Sequence, residues 1–207
     1  MELYGNGPSP ATRSIRILSL ELGLECDYFE IGLGATEPWL PEPLNPECRS
    51  PMLEDDGLLL GEASAILAYL ADKTEATGWY PEDLAERAQA NQWLAWQSNR
   101  LAPQEAQLAW ERRFAPATQQ NEQHEQRAEL WLAILLTELE QQLQARSWLA
   151  SSQPGIADIA VATQLDDLQV SGYDLSPYPG ISVWLEEMRS RPAFAATIHL
   201  ESPTEVE

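Results

Sequence analysis

The fold is decided by residues 45–70, which read NPECRSPMLEDDGLLLGEASAILAYL. Two short apolar runs are separated here by Asp55, Asp56 and Gly57, and an Asp-Gly pair between apolar runs predicts a β-hairpin. An apolar segment then begins after Glu62, and its composition is typical of a helix that is buried on most sides. The stretch is therefore expected to form two strands followed by a helix whose amino end points back towards the start of the hairpin.

Pro51 stands at the entrance of the first of these strands. A proline at this place is tolerated only on a sheet edge or in a special turn such as a cis one, because it has no N–H group for a strand ladder. The backbone of the preceding residue, Ser50, is then free to pair with a group outside the protein. This order of parts suits an extended, peptide-like ligand.

The segments before this stretch predict a small sheet covered by helices. Residues 2–4 read as a strand, and residues 26–31 alternate like a second one. Between them lies a helical pattern, for which Ser9 is a suitable N-cap and Pro10 a suitable first residue. The first part of the chain is thus expected to be α/β.

Strand signals largely end in the turn-rich residues 72–81, and helical periodicity dominates the remainder. Pro103 is expected to kink or stop one of these helices. Tryptophan is abundant, and its side chains are first of all expected to pack in the helical core. Representative positions are Trp93, Trp96 and Trp110.

Composition excludes several classes of partner and compartment. The 207 residues carry a formal net charge of -21, so a nucleic-acid partner is not expected. We find no signal peptide and no stretch of membrane-spanning length. Cys26 and Cys48 form neither a CxxC pair nor a disulfide framework, which favours a reducing, cytoplasmic location. His124 and His199 are far apart and have no ligand-like neighbours, so no metal is expected.

Both halves of the chain resemble the cytosolic glutathione transferase family, in particular its serine-type, bacterial-like members. The motif residues are Asn45, Pro46, Pro51, Leu53, Glu62, Ala65 and Ile66 in the first half and Asp158, Ile159, Trp184 and residues 191–193 in the second. The resemblance implies a thioredoxin-like domain over residues 1–74 and an all-helical domain over residues 84–207. It also implies a homodimer, with glutathione and a small apolar electrophile bound between the two domains. Asp158 is expected to cap a helix rather than to act as a catalytic base.

The resemblance makes Ser9 the candidate catalytic residue, since its hydroxyl would donate a hydrogen bond to the glutathione sulfur and favour the thiolate. A hydroxyl oxygen is also able to cap the helix while its proton points at sulfur. Tyr4 and Thr12 remain alternatives for the same role. The implied reaction is attack of the thiolate on the electrophile, and glutathione-dependent disulfide or peroxide reduction would use the same thiolate.

Glutathione itself would be held by residues of the opening stretch. The candidates are Arg49, Ser50, Pro51, Glu62, Ala63 and Ser64. The family usually has serine where Ala63 stands, and Ser64 would replace that serine only if the helix start were shifted, because successive helical residues point about 100° apart. Glutathione is anionic near neutral pH, so the resemblance also requires a nearby arginine, for which Arg13 and Arg49 are the nearest in sequence. The missing serine keeps a non-catalytic binding or regulatory protein open as an alternative.

Overall fold

The computed structural model describes residues 1–31 and 51–197. Within them the chain forms a four-stranded sheet with two helices, followed by a series of helices. The α/β plus all-α fold class predicted from the sequence is therefore confirmed. Six residues discussed above lie outside the described residues: Asn45, Pro46, Cys48, Arg49, Ser50 and His199.

The sheet and its two helices form the first half of the molecule. In chain order they are β1 (Glu2–Gly5), α1 (Pro10–Glu21), β2 (Asp27–Glu30), β3 (Met52–Asp55), β4 (Leu58–Gly61) and α2 (Ala63–Lys73). The strand order is β2-β1-β3-β4, in which β1 and β2 run parallel and the other two pairs antiparallel. The parallel pair needs the crossover helix α1, whereas β3 and β4 are joined by a tight turn.

That turn consists of Asp56 and Gly57, as the Asp-Gly pair predicts. Both residues have positive φ, 51° and 84° respectively, which is the backbone of a type I′ hairpin turn. The preceding Asp55 pairs with Leu58 and so belongs to the strand. The turn sets the register of the hairpin, and this register brings the end of β4, where α2 begins, beside the start of β3.

Pro51 is buried and lies immediately before β3. β3 is an internal strand between β1 and β4, so of the two settings expected for this proline, a sheet edge or a special turn, the sheet edge is excluded. The ladder on both sides of β3 begins at Met52. The proline is tolerated because neither neighbouring strand requires an N–H group from it.

The described part of the second half contains helices and loops only. Its helical segments are α3 (Leu84–Trp96), a first π-helical segment (Gln97–Leu101), α4 (Ala102–Ala109), a second π-helical segment (Trp110–Phe114), α5 (Glu122–Ala145), α6 (Ile156–Val170), α7 (Pro179–Arg189) and α8 (Pro192–Ala195). Not one of the helices that the structure describes combines the length and the apolar character needed to cross a bilayer.

Pro103 does not stop the helical run, contrary to one of the two outcomes expected for it. The N–H group of Ala102 bonds to the carbonyl of Gln97, which is a wide π-type turn placed directly before the proline. Pro103 then occupies the first turn of α4, where the wider turn accommodates its ring and its missing N–H group.

Two of the three tryptophans named above pack in the core as expected. Trp93 and Trp96 are buried, and their rings meet edge to face with centroids 5.0 Å apart. For Trp110 the prediction is wrong, because its side chain is 46% exposed. Trp110 begins the second π-helical segment, whose altered periodicity moves residues away from the faces that regular α-helical spacing predicts.

The two halves of the chain meet where α1 packs against α6. Arg13 of α1 is buried and pairs with Asp166 of α6 at 2.6 Å. Its guanidinium also lies over the ring of Phe194, 4.5 Å from the centroid. Arg189 of α7 donates from Nε to the other carboxylate oxygen of Asp166 at 2.7 Å. These contacts fix the first turn of α1 against the helical half.

Asp158 holds the start of α6, and its predicted structural role is confirmed. The fully buried carboxylate accepts hydrogen bonds from the N–H groups of Gly155 at 2.9 Å and Leu149 at 3.1 Å, and from the indole of Trp184 at 3.0 Å. Burial nevertheless raises the pKa of Asp158 to about 6 from its ordinary value of 3.8. The native state therefore binds a proton more tightly than the unfolded chain, so the stability contributed by this group falls as pH rises from about 4 to about 6.

We predict that Asp158→Asn lowers the free energy of unfolding by about 2 to 4 kcal/mol, because an amide NH2 group would face a donor that the carboxylate now satisfies. Urea and thermal denaturation measure the effect. Asp174→Asn is the matched control, since the bonds that the exposed Asp174 accepts within the described part of the chain are local ones from Ser176. A variant of Asp158 as stable as the control would contradict the role assigned to this carboxylate.

Candidate functional site

A cavity of about 590 Å³ lies between the sheet half and the helical half. One wall is formed by the starts of α1 and α2 and by the adjoining ends of β3 and β4. The other wall is formed by the first π-helical segment, α4 and α6. The cavity therefore depends on the packing of the two halves against each other.

All of the predicted site residues that the structure describes line this one cavity. They are Ser9, Pro51, Glu62, Ala63 and Ser64. They come from three separate places in the sequence, and the sheet brings them together because β1, β3 and β4 are adjacent in it. The remaining two predicted residues, Arg49 and Ser50, lie outside the described residues.

Ser9 occupies the N-cap position of α1, with an extended backbone at φ −62° and ψ 129°. Its side chain makes no capping hydrogen bond, so the expectation that its oxygen caps the helix is wrong. Ser9 is half-buried and is one of the residues that line the cavity. It lies at the positive end of the helix dipole, where negative charge on a ligand is stabilised.

The two rivals of Ser9 have other surroundings. The hydroxyl of Tyr4 donates to the carboxylate of Glu2, and this hydrogen bond is the largest cause that raises the pKa of Tyr4 to about 12. Thr12 is buried against Gly5, where a Cβ added to the glycine would lie 2.5 Å from the threonine Oγ1. Of the three hydroxyl groups considered, only that of Ser9 belongs to a described cavity-lining residue.

The start of α2 forms the second part of the same wall. Glu62 precedes the helix with φ at 63°, a strained value for a residue other than glycine. Its carbonyl accepts hydrogen bonds from Ala65 and Ile66 at 3.0 Å each. The first N–H groups of any helix have no acceptor within that helix, so they are suited to bind an anion. Ala63 and Ser64, the first two residues of α2, both line the cavity, so no shift of the helix start is needed for Ser64 to reach it.

Positive charge is scarce around the cavity. Among its described lining residues the ionisable side chains are Glu62 and Glu105, both acidic. Arg13, expected as a possible partner for an anionic ligand, is instead turned towards Asp166 at the junction of the two halves. Arg49 is outside the described residues. The described residues also contain no cluster of side chains suited to a metal ion.

Comparison with known protein families identifies the fold and both of its halves. Residues 3–78 match the model described as glutathione S-transferase, N-terminal domain, and residues 132–187 match the model described as glutathione S-transferase, C-terminal domain. Glutathione S-transferase D7 of Anopheles gambiae is 30% identical over 190 residues, which cover 90% of this chain and 85% of the relative. The chain belongs to the glutathione S-transferase family.

Two further similarities show the breadth of this family around the chain. The disulfide-bond oxidoreductase YfcG of Escherichia coli K12 is 32% identical over 196 residues, which cover 90% of this chain and 89% of the relative. A solved structure of Ure2p in complex with glutathione superposes with a TM-score of 0.86 at 26% identity, covering 95% of this chain and 97% of that one. The assignment to a serine-type class stays a prediction.

The sequence patterns did not predict the polar side chains that the helical half of the protein contributes to the cavity lining. The Gln97 amide donates to Gln164 Oε1 at 2.6 Å, and the Gln164 amide donates to Glu105 Oε2 at 2.8 Å. A signal existed for Gln164, which interrupts the apolar run of α6 and is buried. The sequence did not distinguish Glu105 as a cavity residue, because an acidic residue in so acidic a chain is expected to be solvent-exposed.

Proposed function

We propose that this protein is a glutathione transferase that joins the thiolate of glutathione to an apolar electrophile. The observation that carries the proposal is the single cavity lined by Ser9 and by the start of α2. The two helix starts provide a serine hydroxyl and free backbone N–H groups, which suit a thiolate and a carboxylate respectively. Membership of the family supplies the ligand that carries both groups.

In this proposal, the γ-glutamyl end of glutathione lies at the start of α2. The Glu62 carboxylate takes the ligand ammonium, and the N–H groups of Ala63 and Ser64 take the ligand carboxylate. The peptide part of the ligand extends towards Pro51. Arg49 and Ser50 remain proposed partners of that part, with Arg49 offsetting the negative charge of both ligand and cavity.

Ser9 is proposed to stabilise the thiolate rather than to attack the substrate. Lowering a thiol pKa from about 8.5 to about 6.5 requires about 2.7 kcal/mol of preferential stabilisation of the charged form. A hydrogen bond to a charged group contributes about 1.5 to 3 kcal/mol, and a helix N-terminus about 0.3 to 1 kcal/mol. The hydroxyl at the start of α1 is thus sufficient in magnitude for the task.

The electrophile is proposed to lie against the helical wall. Ala102 and Ala106 of α4 line the cavity with small apolar side chains, and Met52 and Leu59 extend this apolar surface from the sheet. Small side chains leave space for a cosubstrate, and apolar ones favour an uncharged compound.

Glutathione-dependent disulfide reduction is the second candidate, because the E. coli relative at 32% identity is a disulfide-bond oxidoreductase. The same thiolate would attack a sulfur atom in that reaction. A non-catalytic role is the third, since another solved structure similar to this chain is described as the nitrogen regulation fragment of the yeast prion protein Ure2p. Turnover of an aryl halide against turnover of hydroxyethyl disulfide separates the first two, and absence of both favours the third.

We also propose that the protein is a cytoplasmic homodimer. The exposed side chain of Leu58, which is 42% accessible, supports an apolar surface on the edge strand β4 that a second copy would cover. With -21 charges per chain, the two copies repel each other, so association is expected to strengthen as salt is added.

Ser9→Ala is predicted to reduce turnover of chlorodinitrobenzene at pH 6.5 about tenfold to a hundredfold while changing the melting temperature little. The loss follows from weaker stabilisation of the thiolate, and the stability is kept because the hydroxyl makes no capping bond. Steady-state kinetics and thermal denaturation measure the two effects. Thr12→Val is the comparison variant, and a larger loss of turnover in that variant than in Ser9→Ala would move the role from Ser9 to Thr12.

Ser64→Ala is predicted to weaken glutathione binding about tenfold or more, because the hydroxyl replaces the serine that the family places one residue earlier. Adding Ala63→Ser to that variant is expected to restore much of the affinity, and Ala63→Ser alone to tighten binding. Isothermal titration calorimetry measures all three variants. Ser98→Ala is the control, since the Ser98 hydroxyl lines the cavity but donates to the Ala95 carbonyl. Equal affinity in Ser64→Ala and the control would assign the carboxylate to other groups.

A further inference from the structure

We propose that ionic strength regulates glutathione binding at the cavity, and that added salt tightens this binding. The acidic surface of the chain repels the anionic ligand, and dissolved ions screen the repulsion. This regulation rests on the transferase function proposed above, which supplies the ligand, and it concerns the same site. A site that attracts an anion with arginine or lysine behaves in the opposite way, because salt weakens that attraction.

The repulsion comes from the excess of acidic residues over the whole chain. The sequence contains 33 acidic and 12 basic residues, which give a formal net charge of -21. Glutathione with a neutral thiol carries two carboxylates and one ammonium group near neutral pH, so its net charge is negative as well. Because both partners are anionic, each glutathione molecule approaches the cavity against the field of the chain.

Two basic side chains close to the segments that line the cavity are already engaged by acidic partners. Arg13 lies in the first turns of α1 and pairs with Asp166 at 2.6 Å. Arg100 belongs to the first π-helical segment and pairs with Glu138 at 3.0 Å. The described lining itself contains no lysine or arginine. The described part of the site thus offers no basic side chain that would reverse the field locally.

The two acidic residues of the lining contribute unequally to this field. Glu62 is exposed at the start of α2 and has no ion-pair partner among the described residues. Glu105 is only 3% exposed, and burial raises its pKa to about 8, which favours its uncharged form near neutral pH. The repulsion therefore depends on Glu62 and on the charged surface of the chain. Dissolved ions reach both, so both are screened by salt.

The expected size of the effect follows from Coulomb's law and the Debye length. A folded chain of this length has a radius of about 20 Å. The Debye length is about 30 Å in 0.01 M salt and about 3 Å in 1 M salt. The net charge therefore acts on an approaching ligand with weak screening in the first case and with strong screening in the second. For -21 charges on the chain and one on the ligand, binding is expected to tighten about tenfold or more over this range.

The direction of the salt effect separates this repulsion from a local attraction. Arg49, proposed above as a partner of the ligand, is already counted in the net charge. Salt weakens a contact between Arg49 and a ligand carboxylate, whereas it relieves the repulsion from the whole chain. Tightening with salt therefore requires that the repulsion exceeds any such contact.

Isothermal titration calorimetry near neutral pH tests the regulation in about 0.01, 0.15 and 1 M potassium chloride. The probes are S-methylglutathione, whose sulfur has no proton to lose, and its glycyl ethyl ester, which keeps the ammonium group but has no net charge. We expect the Kd of S-methylglutathione to fall about tenfold or more over this range, and that of the ester to change less than about twofold. Tetramethylammonium chloride is expected to act like potassium chloride, because screening does not depend on the identity of the cation. The protein concentration is one at which sedimentation gives the same oligomeric state in every salt.

A variant of lower charge provides a second, independent comparison. It combines Glu25→Lys, Glu82→Lys and Glu186→Lys, which alter exposed side chains outside the described cavity lining. The net charge changes from -21 to about -15, because each exchange removes one negative charge and adds one positive. We expect S-methylglutathione to bind this variant about threefold more tightly than the wild type in about 0.01 M salt, and equally in about 1 M salt. Equal binding at high salt shows that the cavity itself is unchanged.

Three results would overturn the regulation: a Kd of S-methylglutathione that rises or stays within about twofold as salt is added, an equal change for the ester, or a variant that binds like the wild type at low salt. Each of them leaves the proposed transferase function intact, since the ligand still binds. Absence of binding by both glutathione and S-methylglutathione at every salt concentration would contradict the transferase function, and this regulation with it. If the variant did not fold or the ester did not bind, the other comparison decides.

Discussion

The buried contact between Arg13 and Asp166 is the constraint on which the cavity depends. Arg13 lies in the first turns of α1, close to Ser9, and Asp166 lies on α6 beside Gln164 and Asp167. Fixing the pair therefore fixes the separation of the two cavity walls. The arginine is held on its other face by an aromatic ring, and Asp166 takes a second guanidinium from α7, so neither charge is left without compensation. An arginine that sequence position alone would assign to ligand binding is used instead to align the site.

The second constraint is electrostatic. The chain carries a net charge of -21, and the described cavity adds two carboxyl groups, although glutathione is itself an anion. Two features reduce this conflict without a described lysine or arginine in the lining: the N-termini of α1 and α2 present partial positive charge, and burial raises the pKa of Glu105 to about 8, which favours its uncharged form near neutral pH.

The sequence predicted one wall of this cavity and missed the other. The Asp56–Gly57 turn, the proline before β3 and the residues at the start of α2 are local features, and local chemistry is enough to place them. Glu105 and Gln164 meet only because helices from different parts of the chain pack together, and no spacing rule reports that contact. The helical run that continues through Pro103 and the exposed position of Trp110 share one cause: the π-helical turns on both sides of α4 change the periodicity on which the predictions relied.

The central claim is that this cavity binds glutathione and stabilises its thiolate. Ultraviolet absorbance of the thiolate, followed from about pH 5 to about pH 10 in the complex with the wild-type protein, tests both parts together. We expect an apparent pKa near 6.5, about two units below that of the free thiol. A bound thiol that titrates at its free value, or the absence of any absorbance change attributable to binding, would contradict it.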